Sequence, residues 1–397
     1  MRSPTPRRIL RYVTGVLQLQ RYLQSPGDGR PQPQIPAKAL LWALLIAEVL
    51  RQYSFLAIEA LAGSALRSRL GISASFGDDA LSYFTERLDP EPTRLALAAT
   101  LHRAKRNKAF DGSRFLGLAI DGTGAGRSGQ RRCKLCRPFR DKNKEVAGYH
   151  HQLTMISVVG TGLSLPCDIE PYGPGDSEYA AAQRLLRRAL SNLGPRFADY
   201  VVVDSGFATA PFLHTADELR LPVIARLKDN LPELFTAARR RFARQAPHLT
   251  FRHGQDRVEI WDADDFDPWE TLKWETVRVL FYRQHKPNGK IVEAYWLTSF
   301  RFRQVGSRSL FALAKSRWEI ENQGFNDAKN RYGMEHICHH HANSLLLGWL
   351  LIALALMIER LYRLRFLHRG EHRRLSAIAL VRLLWCSFAA RPALDTS

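Results

Sequence analysis

Three acidic residues stand where a carboxylate has chemistry open to it. Asp121 closes the apolar run "FLGLAID" and precedes Gly122; Asp204 closes the run in "YVVVDSGF" and precedes Ser205-Gly206. A short apolar run bounded by glycine reads as a buried strand, so each acid is predicted to project from a strand end beside a loosened loop. A carboxylate placed there suits a hard divalent cation, which takes oxygen ligands. The competing reading is an Asp that merely starts a turn or caps a helix. The third acid lies in "SRWEIENQGFNDAKNRYGMEH". On a helical wheel Arg317, Glu321, Phe325 and Ala328 share a stripe, with Trp318 nearby, which predicts Glu321 on a largely apolar face. A carboxylate there needs a counter-charge, either a metal or Arg317 one turn earlier. Glu319, on the opposite side of the helix, is the competing acid.

The remaining chemistry is basic. Fifty-eight Lys plus Arg against 38 Asp plus Glu leave a net charge of +20, spread along the whole chain, and the pI is near 10.1. An excess of that size favours a polyanionic partner, with nucleic acid as the first candidate. The segment "GRSGQRRCKLCRPFRDKNK" follows the first acid and packs eight Lys or Arg into residues 127–144. Arg131, Arg132, Lys134 and Arg137 are therefore candidates for phosphate contact, against the plainer reading of a solvated loop. Arg226 and Lys228, at the end of a further strand, and the arginine-rich run 239–244 are others. Cys133 and Cys136 form a C-x-x-C knuckle, with His150 and His151 fourteen residues beyond. Zinc is conceivable, but adjacent residues on a strand point to opposite faces, so those two histidines make an awkward pair of ligands. His336, Cys338, His339, His340 and His341 read as a metal cluster or as a polar turn. Trp269, Trp274 and Trp296 read as base-stacking platforms or as core.

The elements that must position these residues follow from texture. Residues 1–110 are rich in Leu and Ala and read as a helical N-terminal region suited to DNA binding, broken by the loop "GDGRPQPQIPA". Residues 111–229 read as strand, two hairpin strands joined at Gly160-Thr161-Gly162, a helix over 177–193, a strand, a helix and a strand. This is the order of a ribonuclease H-like mixed α/β sheet, which brings the ends of its first and fourth strands together. Residues 230–300 read as a strand-rich insertion with a turn at 286–289. Residues 301–345 carry the acidic helix that completes the core, and 346–397 read as a helical C-terminal region. The longest apolar run, Leu345 to Ile358, is about 14 residues, short of the roughly 20 a membrane span needs, and is expected to be a buried helix. No secretory leader is expected. The five cysteines show no disulfide framework and suit a reducing cytosol.

"LAIDGTG", "VVVDSGFAT" and above all "RWEIENQGFNDAKN" resemble the three motif regions of bacterial insertion-sequence DDE transposases, in the insertion-sequence-four-like group. The resemblance covers about residues 111–345. It implies that Asp121, Asp204 and Glu321 are both catalytic and metal-binding. It also implies that Arg317 and Lys329 serve DNA, although Ala314 stands where the group commonly has Tyr, and Lys329 lies eight residues after Glu321 where seven is usual. Three carboxylates then hold two Mg²⁺ ions, about 3.5–4 Å apart, for which Mn²⁺ can substitute. The implied activity is cleavage of double-stranded DNA at terminal inverted repeats and joining of the ends to target DNA, by a homodimer on the nucleoid of the bacterial cytoplasm. The rivals are a nuclease of the same fold that does not join strands, and an inactive derivative that only binds DNA.

Overall fold

The computed structural model describes residues 5–23, 27–367 and 375–389; the extreme ends of the predicted N- and C-terminal regions lie outside them. The chain opens with helices α1 (Pro6–Arg11), α2 (Gln20–Leu23), α3 (Ala37–Val49), α4 (Phe55–Gly63), α5 (Asp78–Arg87) and α6 (Glu91–Arg106). The core follows as β1 (Gly117–Ser128), β2 (Arg137–Arg140), β3 (Val146–Val159), β4 (Leu165–Tyr172), α7 (Glu178–Leu193), β5 (Tyr200–Val203), α8 (Ala210–Glu218) and β6 (Val223–Leu227). After it come α9 (Pro232–Phe242), β7 (Leu249–His253), β8 (Asp256–Phe266), β9 (Val277–His285) and β10 (Ile291–Thr298). The last helices are α10 (Ser307–Lys315), α11 (Asn326–Tyr332), α12 (Ala342–Phe366) and α13 (Ala377–Ala389).

The strands form one ten-stranded sheet. Within it β4 pairs β3 antiparallel, β3 pairs β1 antiparallel, and β1, β5 and β6 run parallel. That order and polarity are the ribonuclease H-like arrangement expected from the sequence. Residues 118–120 and 200–203 are buried throughout, as strands covered on both faces must be. Ser177 caps α7 by accepting from the Ala180 amide, so the predicted helix start is the observed one.

Two expectations need correction. β1 does not end at Asp121 but continues to Ser128, because β3 pairs with it beyond the point where β5 stops. The basic segment after it is not all loop, since Arg137–Arg140 pair with β3 as β2. The strands of the insertion join the core sheet: β10 pairs antiparallel with β6, so β7 to β10 prolong it. Trp296 is buried in that extension, and Trp269 and Trp274 pack against the core, which settles them as packing residues. Trp274 also spends its indole N–H on Asp217, at 2.6 Å.

The apolar run near the C-terminus lies in α12, a 25-residue helix that packs on β4, α3, α5 and α6. By length and composition alone it would cross a membrane, but 89% of its apolar window is buried in the protein, as in a core helix. It joins the N-terminal helices to the sheet in one continuous core.

The predicted acidic helix is not a regular α-helix. Between α10 and α11 residues Ile320–Phe325 form a π turn, a feature that accommodates one extra residue within a helix. Phe325 and Ala328 are buried as expected, but the wide turn rotates Glu321 out of their stripe, leaving its side chain 42% exposed. Buried Arg360 of α12 secures this turn. Its guanidinium donates to the carbonyls of Gln323 and Ser164 and pairs with Asp327 at 2.7 Å. Arg278 plays a similar part upstream, paired with Asp262 (2.9 and 2.7 Å) and donating to the Val305 carbonyl (2.8 Å) just before α10.

Replacing Arg360 by Leu leaves two carbonyls and part of Asp327 without a donor. We expect a loss of about 3 kcal/mol, read as a lower denaturant midpoint at unchanged slope. A loss below about 0.5 kcal/mol would show that the turn holds itself.

Candidate active site

The parallel pairing of β1 with β5 ends at Ile120 opposite Val203, so Asp121 and Asp204 are the next residues on two adjacent strands. Their neighbourhood follows from the register of the sheet. Side chains alternate between faces along β1. Asp121 lies opposite Met155, and a Cβ on Gly324 of the π turn would sit 2.8 Å from the Met155 side chain, so this face carries the acidic helix. Gly122 faces α7 instead. A Cβ there would lie 2.2 Å from Glu178 Oε1, so only glycine lets that carboxylate approach the strand.

Arg317 joins the first and third acids. Its Nη1 is 3.2 Å from Asp121 Oδ2 and its Nη2 is 2.8 Å from Glu321 Oε1. Lys228, just beyond β6, has its ammonium 3.6 Å from Asp204 Oδ1. Burial pushes the Asp121 carboxyl up to about 6, although Arg317 pulls it down, while the charges of Glu321 and Glu178 add to the rise. Glu178 is itself raised, first by burial and then by Asp204, against a hydrogen bond from Tyr172 that lowers it. It is thus a further carboxylate close to β1, on the α7 face, and little in the sequence marks it because it occupies an ordinary first-turn position after a Ser cap. The Gly122 beside Asp121 was its one available signal.

Glu319, the rival acid, turns away. Its Oε2 accepts from the Gly160 amide at 3.1 Å, at the β3–β4 turn, and burial raises its carboxyl. Of the predicted cations, Arg131, Arg132 and Lys134 are exposed. Arg137 is turned inward, donating to the carbonyls of Gly173 (3.1 Å) and Asp176 (3.0 Å) and lying over Tyr172, so it holds its own segment in place. Arg226 is half-buried against Trp296, donates to the Glu293 carbonyl at 3.2 Å, and is lowered by desolvation. Lys329 pairs with Glu335 at 3.2 Å. Arg226 and Lys228 line one end of a cleft of about 910 Å³ whose wall continues with Arg239, Arg240, Arg283 and Phe235.

The acids offer oxygen donors only, with Arg317 between Asp121 and Glu321 and Lys228 beside Asp204. Such a donor set suits hard divalent cations, which Asp121, Asp204 and Glu321 would hold.

A family described as "Transposase DDE domain" matches residues 112–358, more than half of the chain. No curated protein matches. Among solved structures, the chain is similar to the piggyBac transposase in its synaptic complex with hairpin DNA, with 13% identity and a TM-score of 0.45 over 98% of this chain and 83% of that one. β1, the turn after β5 and the π turn all fall inside the family match, and the chain therefore belongs to the transposase DDE-domain family, enzymes that cut and move DNA.

Proposed function

We propose that Asp121, Asp204 and Glu321 are the catalytic carboxylates of a cut-and-paste transposase of the insertion-sequence-four-like group. It would work as a homodimer on the terminal inverted repeats and target DNA of a bacterial nucleoid. The observation that carries this reading is the guanidinium of Arg317, which ties Asp121 to Glu321 next to the strand that ends in Asp204. Two divalent cations, Mg²⁺ with Mn²⁺ as a substitute, would supply activation of the attacking oxygen and charge neutralisation at the leaving oxygen.

The chain's own residues do the rest. Arg317 orients two carboxylates at once through charge-assisted hydrogen bonds. Lys228 is exposed beside Asp204 and is placed to hold a DNA phosphate. Water attacks a phosphodiester at the element end, which breaks one P–O bond and frees a 3′-hydroxyl. That hydroxyl then attacks a target phosphodiester in line, so one P–O bond forms as another breaks. The basic cleft beside Lys228 and the exposed loop at 131–134 supply phosphate contacts on either side of this chemistry.

Asp121→Ala, Asp204→Ala and Glu321→Ala should each lower cleavage by on the order of a hundredfold or more while DNA binding persists, because each removes a metal ligand and leaves the phosphate-binding cations in place. Glu319→Ala should leave cleavage intact; the reverse pattern for the two glutamates would mean that the wrong acid was chosen. A pre-cut substrate bearing a 3′-hydroxyl separates the rivals: joining in Mg²⁺ supports the transposase, hydrolysis without joining indicates a nuclease, and inertness indicates a DNA-binding derivative.

Replacing Arg131, Arg132 and Lys134 together by Ala should weaken DNA binding and flatten the plot of log affinity against log salt by about 0.9 for each phosphate no longer neutralised. An unchanged slope returns the loop to ordinary solvated surface. Arg137→Ala should act through stability instead, since its donors are spent on carbonyls.

Arg317 and Lys329 should differ in kind. An eight-residue spacing on an α-helix rotates Lys329 roughly 80° from Glu321; the π turn absorbs the extra residue and returns it toward the side a seven-residue spacing would give. Arg317→Ala should cost more cleavage than Lys329→Ala, and Lys329→Ala should show in the grip on the transferred end. Greater damage from Lys329→Ala in joining of pre-cut ends would make the lysine the more important of the two at that step.

A further inference from the structure

We propose that Cys133, Cys136, His151 and His340 form a structural zinc site that fastens the basic loop and the chain after the acidic helix to the core sheet. Their ligating atoms all lie within 4.8 Å of one another. Cys133 Sγ is 3.5 Å from Cys136 Sγ and 3.2 Å from His151 Nε2, and Cys136 Sγ is 3.5 Å from the same nitrogen. Zinc bonds of about 2.3 Å to sulfur and 2.0–2.1 Å to nitrogen, set tetrahedrally, place donors about 3.3–3.8 Å apart. The three edges among Cys133, Cys136 and His151 lie at that scale, and His340 is within 4.8 Å of them. The sulfurs are too far apart for a disulfide, in which they would be about 2.0 Å apart.

His151 aims Nε2 at both sulfurs and, among the described residues, makes no hydrogen bond to any other group through that nitrogen. His151 is fully buried, and its Nδ1 has no hydrogen-bond partner; neither has buried Nδ1 of His340. A buried imidazole surrounded by thiols, a tryptophan ring and a second imidazole lacks the carbonyl or carboxylate that would ordinarily satisfy it. The mixed thiolate and imidazole donor set is that of closed Cys₂His₂ zinc sites and unlike the all-oxygen cluster at Asp121.

The set differs from the one the spacing suggested. His150 points to the other face of β3, beside Phe139, as alternation along a strand requires. Its place is taken by His340, 204 positions after Cys136 in the chain and just ahead of α12. Arg131, Arg132 and Lys134 flank the knuckle, so fixing the two sulfurs fixes where those cations are presented. The same ion would hold the segment after α11 against β3, and so support the helix carrying Glu321 from its C-terminal side.

The full chain, purified without chelator, is expected to contain close to one zinc by elemental mass spectrometry. Zinc content should persist in Asp204→Ala and fall to background in Cys136→Ser and in His340→Ala. His340 is the more exposed position, and its variant should stay folded by circular dichroism while melting at a temperature several degrees lower. Cobalt exchanged into the wild-type site should show thiolate charge-transfer absorption that Cys136→Ser abolishes. Zinc retained by His340→Ala at full content would overturn the assignment of that ligand. A folded chain with no zinc, or a Cys133–Cys136 disulfide in the intact protein, would overturn the site altogether.

Discussion

The guanidinium of Arg317 is the point on which the geometry of this enzyme turns. Asp121 and Glu321 come from opposite ends of the core, and two carboxylates in a partly buried space repel each other. Arg317 is largely buried and presents two nitrogens of one rigid plane, one to each acid. A lysine in its place would offer a single point charge and could not hold two carboxylates in a fixed relation. The rest of the fold serves to bring that plane to that place.

Bringing it there is a matter of packing and of satisfied carbonyls. The acidic helix lies across β1 and β3 because α12 pins it from behind, and the pin is a buried charge. Arg360 reaches the carbonyl of Gln323 within the wide turn, the carbonyl of Ser164 in the β3–β4 connection, and Asp327. Without that donor the π turn would present buried carbonyls to an apolar helix. Upstream, Arg278 does the same for the chain entering α10. Basic side chains thus have two uses in this protein. Some of the excess is spent inside on orphan carbonyls and acids, and some stands outside where a polyanion would meet it. Arg137, Arg278 and Arg360 belong to the first group, and Arg131, Arg132 and Lys228 to the second.

The sheet explains why an insertion of this size does not disturb the site. β10 returns alongside β6, so the strands added after α9 extend the core sheet and share its hydrogen-bond ladder. A rigid continuation places the arginines of α9 in one cleft with Lys228, whose ammonium is 3.6 Å from Asp204. An insertion attached through a loose linker would have left their distance from the carboxylates undefined.

Much of this was legible in the sequence. Apolar runs ending in Asp121 and Asp204, the glycine-marked hairpin, the Ser177 cap and the motif around Glu321 are local signals, and local physics determined the succession of core elements along the chain, the start of α7 and the candidate acids. What lay beyond the sequence depended on contacts between distant residues. β1 runs past Asp121 because β3 extends along it. Glu178 approaches β1 because Gly122 has no side chain to keep it away, and Arg137 turns inward onto two carbonyls that precede α7. Glu321 leaves its apolar stripe because a π turn, secured by a residue 37 positions later, shifts the helical period. Periodicity reads only neighbours along the chain. Which carbonyl is orphaned, and which distant charge satisfies it, is decided when the elements pack.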